Sequence, residues 1–286
     1  MWTKNGAETL PLVLKRISEV IPHEFVNSHI IVDDHSTDDT REIAKSFGWQ
    51  VVFNEGSGIS DGANTALKRV TTEYFISFEQ DLLLAREWWQ KIPRYTLPKS
   101  VAIVSGIRLS VGLRVLAKIQ EYEYEKCRRV QEARKFDFDK FLRGKTLDNT
   151  IYKTAVIRGL GGFPKLSIST GVDTVLAYRI HASGYEWKVD YTTKSIHLRK
   201  GLKDAFSHVY WYGTCHDALS MTLLNKPTDL KKMMIKLFFS PVLGLHITIK
   251  KRCPQTLYVY PLIRFNNLRG VIDSRKNTNK ILEKQE

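Results

Sequence analysis

Cysteine is scarce in this chain. The three present, Cys127, Cys215 and Cys253, are odd in number and far apart. That excludes a disulfide framework and a cysteine metal motif, and it fits a reducing compartment. No apolar run reaches the roughly 18–20 residues that cross a bilayer. The opening residues, MWTKNGAETLP, are polar, so no signal peptide is expected in them. Internal repeats and low-complexity tracts are also missing. Acids are in short supply: 30 Asp and Glu stand against 44 Lys and Arg, a net charge of +14. The imbalance is uneven, since residues 201–286 hold 14 basic and 6 acidic side chains. A surface so basic suits an anionic partner, either a membrane or a nucleic acid.

At 286 residues the chain has room for one large α/β domain with an extension. Its most informative stretch is Ile30–Thr40, IIVDDHSTDDT, a β-branched run that ends in two carboxylates and a turn. A second apolar run, Tyr74–Phe78, ends in Glu79-Gln80-Asp81. Two strands that deliver acids to their carboxyl ends point to one crevice at the edge of a parallel sheet, where open α/β sheets bind ligands. Acids there suit a sugar nucleotide and the divalent metal on its diphosphate.

The rest alternates. Helices are expected over 8–20, 38–47, 61–70, 113–135 and 174–183, and strands over 30–32, 51–53, 74–78, 101–109, 154–157 and 186–189. Short β-α-β spacing implies a largely parallel sheet.

Five segments, in order, carry a family resemblance. They are NGAETLPLVL, IIVDDHSTDDT, FEQD, the Gly161-Gly162-Phe163 loop and GVDTVLAYRIHASGY. Over roughly residues 5–200 the chain resembles a family 2 glycosyltransferase. That implies a GT-A-type, Rossmann-like fold with a mostly parallel central sheet flanked by helices. The expected division is a catalytic domain at 1–200, its first strand truncated, and a basic, helical, membrane-associating extension at 201–286. The resemblance also implies a donor site for a UDP- or GDP-sugar. In the family pattern, Gly6 stands where a Glu is usual, Glu79 replaces the first Asp of Asp-x-Asp, and Val172 replaces the Glu of Glu-Asp.

The chemistry assigns roles. The leaving diphosphate needs neutralising, and hard oxygen ligands suit Mg²⁺ or Mn²⁺. Asp81 is the best ligand, and Glu79, two residues earlier, faces the same way if the segment is extended. His197 resembles a late family position that completes the metal site. Asp173, at a helix start, is the candidate base for the acceptor hydroxyl. One of Asp33 and Asp34 receives the base or ribose of the nucleotide, and the resemblance favours Asp33. Gly56 and Gly58 lie in a flexible loop suited to the diphosphate. Asn64 and Gln80 are placed on the donor side, and Gly161, Gly162 and Phe163 on the acceptor side.

The segment Lys231–Arg252 carries six basic residues, no acid and an uncharged run of 13. That run is too short to span, but it suits a segment lying in the headgroup boundary of an anionic membrane. Pro241 and Gly244 argue against one straight helix. The expected acceptor is therefore a lipid-linked saccharide or a polyprenyl phosphate, and the expected location is cytoplasmic, at the inner face of the membrane. Two other readings are a nucleotidyltransferase of related fold and a non-catalytic membrane-surface binding protein. Nucleic acid is not expected, because the cations gather beside an apolar run and do not interleave with aromatics.

Overall fold

Apolar runs of the first two hundred residues become strands, and the amphipathic stretches between them become the helices that cover the sheet. The computed structural model describes residues 1–132, 144–166, 168 and 170–282. Its first strands, β1 (Trp2–Thr3), β2 (Ile30–Asp33) and β3 (Gln50–Phe53), are all parallel. The first strand is thus present as two residues, paired Trp2 to Val32 and Thr3 to Asp33. The other strands are β4 (Tyr74–Ser77), β5 (Leu82–Leu83), β6 (Val101–Leu109), β7 (Thr150–Lys153) and β8 (Glu186–His197). They order as β4-β7-β6-β8-β5. Here β6 and β8 run parallel, while β7 and β5 are antiparallel to their neighbours. A parallel bridge between Trp2 and Glu79 joins β1 to the carboxyl end of β4.

Helices α1 (Leu10–Val20), α2 (Thr40–Ser46), α3 (Gly58–Arg69) and α4 (Trp88–Lys91) fall between these strands. α5 (Arg114–Glu132), α6 (Thr154–Gly159) and α7 (Val172–Ala182) follow. Residues 133–135 of the expected long helix lie outside the described residues.

The central strand β6 is buried on both faces. Leu10, Leu14 and Ile17 of α1 pack with Ile31, Val104 and Trp88 in one cluster. Leu176 of α7 packs with Ile103, Tyr152 and Trp187 in another. Neighbouring Ile103 and Val104 belong to different clusters, the alternation expected across a strand.

Two expectations shift. The strand expected at 154–157 is helix α6, and the strand lies just before it. Pairing of β7 with β4 ends at Lys153, opposite Tyr74, and the Thr154 N–H makes the last bond, to the Glu73 carbonyl (2.9 Å). The strand expected at 186–189 continues to His197. Its polar half hides a bulge, in which the register with β6 jumps from Gly106–Asp190 to Ile107–Lys194. Asp190 holds the bulge by accepting from the Thr192 N–H (3.0 Å) and the Thr193 hydroxyl (2.6 Å).

The chain forms two compact units. The first comprises 1–109, 124–167 and 172–198, and the second 110–123, 168–171 and 199–286. Among its described residues the second is helical. It contains α8 (Leu202–Leu224), α9 (Leu230–Phe238), α10 (Ser240–Lys251) and α11 (Thr256–Leu282). α8 and α11 cross closely at two glycines: a Cβ on Gly213 would stand 2.3 Å from the Asn267 carbonyl, and one on Gly270 2.2 Å from that of Tyr210.

Candidate functional site

Two acids close β2. Asp33 is fully buried, and its Oδ2 accepts from the Ser36 N–H (3.1 Å). Its Oδ1 is buried and makes no hydrogen bond, a site for a donor group. Asp34 is committed to the neighbouring loop. It accepts from Asn54 Nδ2 (2.7 Å) and the Gly58 N–H (3.3 Å), and Lys4 Nζ lies 3.5 Å away. Asp33 is therefore the acid with capacity to spare.

Glu79, Asp81 and His197 each offer a ligand atom within 4.8 Å of the others. The register of β5 on β8 causes this. Leu82 pairs with His197, and the Leu198 N–H donates to the Asp81 carbonyl (2.8 Å). His197 Nε2 then stands 3.1 Å from Asp81 Oδ2. Gln80 and Asp81 form a turn after the Trp2–Glu79 bridge, not a strand. The two carboxylates converge through that turn and not through strand alternation. Two carboxylates and an imidazole make a donor set for a hard divalent cation such as Mn²⁺ or Mg²⁺. Asp81 and His197 fit it best, because Glu79 is held elsewhere.

Arg108, near the end of β6, holds Glu79. Its Nη1 lies 3.0 Å from Glu79 Oε2 and 3.2 Å from Asp148 Oδ2. Asp148 has no side-chain exposure, and its Oδ1 makes no hydrogen bond. Burial first, and Asp148 second, raise the Glu79 pKa well above the usual carboxylate range, while Arg108 opposes the rise. One third of the Glu79 side chain remains open to water, which moderates the effect.

Asp173 lies in the first turn of α7. Its Oδ1 accepts from the Thr174 N–H (2.7 Å). Burial raises its pKa, opposed by that hydrogen bond and by the field of Arg108. Arg108 and Asp148 thus act on both Glu79 and Asp173. A lone Arg in VAIVSGIRL and the acid of LDNT were the available signals for them in the sequence.

Gln80 ties β1 to β4. Its Oε1 accepts from the Lys4 N–H (3.0 Å) and the Thr3 hydroxyl, and its Nε2 donates to the Lys4 carbonyl (3.0 Å). This explains Gly6, where a Cβ would stand 2.6 Å from Gln80 Oε1. Asn64 is similarly engaged, since it donates to the Phe163 carbonyl and accepts from the Phe163 N–H, both at 2.9 Å. Gly162, at φ +85°, lies against that amide. Phe163 is buried against Phe75 and Tyr152. Gly56, Asn64, Gly161, Gly162 and Phe163 line a cleft of about 680 Å³ with Lys68, Arg158, Lys165 and Arg179. Asp33, Asp34, Asp81, Asp173 and His197 do not line it. The residues expected from sequence therefore stand in several places: Glu79 and Asp81 meet His197, Asp33 and Asp34 close β2, Asp173 opens α7, and Gly56, Asn64, Gly161, Gly162 and Phe163 line the cleft.

The sequence model of glycosyl transferase family 2 matches residues 1–160. No curated protein matches the chain in sequence. Several solved structures resemble it in fold. One is a mannosyltransferase from Pyrobaculum calidifontis, in complex with GDP-mannose and Mn²⁺. It has 16% identity and a TM-score of 0.60, over 92% of this chain and 72% of that one. Another is glucosyl-3-phosphoglycerate synthase from Mycobacterium tuberculosis, with Mn²⁺ and UDP-glucose. It has 15% identity and a TM-score of 0.54, over 80% and 78%. A third is residues 1–349 of TarS from S. aureus, with UDP-GlcNAc. It has 11% identity and a TM-score of 0.53, over 96% and 90%.

Proposed function

The chain belongs to glycosyl transferase family 2, and from that premise we propose a metal-dependent, inverting transfer. The donor is a UDP- or GDP-sugar, and the acceptor a lipid-linked saccharide or polyprenyl phosphate at the inner face of a membrane. The observation that carries the transfer chemistry is the convergence of Asp81, His197 and Glu79 within 4.8 Å at the strand ends. Asp81 and His197 hold the divalent ion, with Glu79 as the third ligand. Bound there, such an ion supplies positive charge to the leaving diphosphate. The unpartnered oxygen of Asp33 accepts a hydrogen bond from the nucleotide.

Asp173 takes the proton of the acceptor hydroxyl as the new bond to the anomeric carbon forms. The bond from that carbon to the diphosphate breaks, and the nucleoside diphosphate leaves with its electron pair. A raised pKa makes Asp173 a stronger base than an ordinary carboxylate. A phosphate acceptor, already ionised, needs no such help.

The membrane part of the proposal draws on the second unit. Phe238 is 77% exposed and Ile249 72%, and Ile235, Phe239, Val242 and Leu245 are exposed as well. A contiguous apolar face of this kind marks a membrane or protein contact. Lys231, Lys232 and Arg252, all exposed, flank it. No single described helix is long and apolar enough to cross a membrane. α9 and α10 pass that test only together, bent by 49°, a shape suited to lying in the interface.

The test is a donor and acceptor screen. UDP- and GDP-sugars are offered with and without Mn²⁺, then with a short polyprenyl phosphate or a lipid-linked saccharide. A donor that raises the melting temperature only with Mn²⁺, and a product of inverted anomeric configuration, are expected. Transfer that persists in excess chelator would overturn the metal assignment. Turnover confined to water-soluble acceptors would overturn the lipid.

A further inference from the structure

The cleft of about 680 Å³ lined by α3, the loop after α6 and α7 holds none of the acids assigned to the transfer. The glycine loop shapes it. Gly161 and Gly162 take φ of +81° and +85°, a backbone that favours glycine. Beyond this turn the Phe163 amide meets Asn64, and Lys165 Nζ comes within 3.8 Å of Asp61 on α3. The Asn64 side chain is spent on the Ser60 and Phe163 backbone, so it holds the wall and leaves ligand contacts to its neighbours.

Four cations line the cleft: Lys68 from α3, Arg158 from α6, Lys165 from the loop and Arg179 from α7. Two carboxylates line it as well, Glu55 beside Lys68 and Asp61 beside Lys165. Both pairs are open to water, so each is worth little and yields to a stronger anion. The two arginines differ. Arg158 is anchored by neutral groups, its Nη2 donating to the Leu67 (3.1 Å) and Val70 carbonyls. Its charge is therefore not cancelled. Arg179 is exposed and pairs with no acid among the described residues. Two positive charges remain in excess.

Size and lining narrow the ligand. The volume lies in the range of small-molecule sites and exceeds what a bare inorganic ion fills. Leu67 and Phe163 are the only apolar side chains on its walls, and both are buried, so the space suits a hydrophilic molecule and not an acyl or prenyl chain. A phosphate monoester carries about −1.5 to −2 charge at pH 7, which matches the excess. Guanidinium groups bind its oxygens bidentately.

We propose that this cleft binds a phosphorylated saccharide, with Arg158 and Arg179 on the phosphate. Lys68 and Lys165 turn from their carboxylates to share it, and the freed Glu55 and Asp61 accept hydrogen bonds from sugar hydroxyls. A free sugar phosphate and a phosphorylated unit of a glycan present the same chemistry. The proposal is independent of the metal and donor reading.

The test is calorimetry on the full chain, without Mn²⁺ or donor, at a physiological ionic strength of about 0.15 M, where long-range attraction is screened. The probes are glucose 6-phosphate, glucose, and an oligosaccharide carrying one terminal phosphate. Both phosphates are expected to bind and glucose is not. Tighter binding of the oligosaccharide assigns the site to a glycan, and tighter binding of the monosaccharide to a free ester. Lys165→Gln with Arg179→Gln should weaken binding on the order of 10-fold and keep the parent melting temperature, because both side chains are exposed. Lys15→Gln with Lys99→Gln removes the same charge from exposed positions outside the cleft and should leave the affinity unchanged. No binding by the parent, equal binding by the cleft variant, or an equal loss in the control variant overturns the proposal. Displacement of glucose 6-phosphate by a UDP-sugar with Mn²⁺ would make the cleft part of the donor site and overturn it as well.

Discussion

Asp81 lies in the turn just ahead of β5 and His197 at the end of β8, and the pairing of β5 with β8 brings the two together. The Asp81→Ala variant is expected to lose Mn²⁺-dependent donor binding, while Glu79→Gln weakens it less, because Arg108 already holds one Glu79 oxygen. Calorimetry with Mn²⁺ and the donor reads both. Asp173→Asn should leave donor affinity intact and lower kcat by roughly 10²–10⁴ with a hydroxyl acceptor, the usual weight of a positioned base. A mild loss together with activity on a polyprenyl phosphate would identify the phosphate acceptor. Glu79 also gives a pH signature. Its folded pKa is raised from about 4.5 to about 8, so the folded state keeps a proton that the unfolded chain has lost. The stability this brings is fully present below about pH 4.5 and is lost as pH rises through about 8. Melting of the metal-free protein should therefore fall between pH 6 and 9, and Glu79→Gln should flatten that fall. An unchanged slope in the variant would remove Glu79 as its source.

Elements carry these side chains to one place, and the bulge in β8 is the element that matters most. Without the extra residues held by Asp190, His197 would not stand opposite Leu82. Asp190→Ala should loosen the bulge and lower metal affinity on the order of 10-fold, as supporting partners of metal ligands do. The fold should remain, since the apolar half of β8 keeps its register; near-ultraviolet circular dichroism checks that. β6 supplies Arg108 between two acids, one of them with no exposure. Arg108→Met leaves the buried Asp148 carboxylate uncompensated and is expected to cost about 3 kcal/mol in urea unfolding. Adding Asp148→Asn should recover part of it. What the sequence made legible follows from the same elements. The strand-end acids of β2 and β4, and Asp173 at its helix start, were readable because apolar runs stop at them. The run Thr150–Ile157 is rich in strand-favouring residues throughout, and only the partner strand decides where pairing ends, so the expected strand falls four residues late. The second half of β8 breaks the apolar pattern, because buried Asp190 and Thr193 serve a polar bulge and buried Ser195 bonds to Ala85 and Asn149. Arg108 and Asp148 are forty residues apart, and nothing local announces their ion pair.

At the scale of the whole molecule, a sheet of strand-end acids is linked to a helical unit with an exposed apolar face and basic flanks. Attachment of that unit to a membrane would hold the linked catalytic unit near any lipid-borne acceptor at high effective concentration. The identity of the face decides between two outcomes. If it were a core surface, Phe238→Asp with Phe239→Asp would unfold the protein. Both rings are largely in water, 77% and 53% exposed, so the double variant should keep the parent melting temperature and lose binding to anionic vesicles. The basic residues give the second arm. Lys251 is excluded from it, because its side chain is only 11% exposed and lies 3.9 Å from Glu121. Lys231, Lys232, Lys236 and Arg252 are exposed, and near an anionic surface each contributes roughly 1 kcal/mol. Replacing these four by Gln should release the protein from phosphatidylserine vesicles at physiological salt and barely change its behaviour toward neutral ones. Co-sedimentation beside a thermal melt reads every arm. Equal binding of the parent and both variants would show that residues 231–252 do not meet the lipid, and the acceptor would then have to be sought in solution.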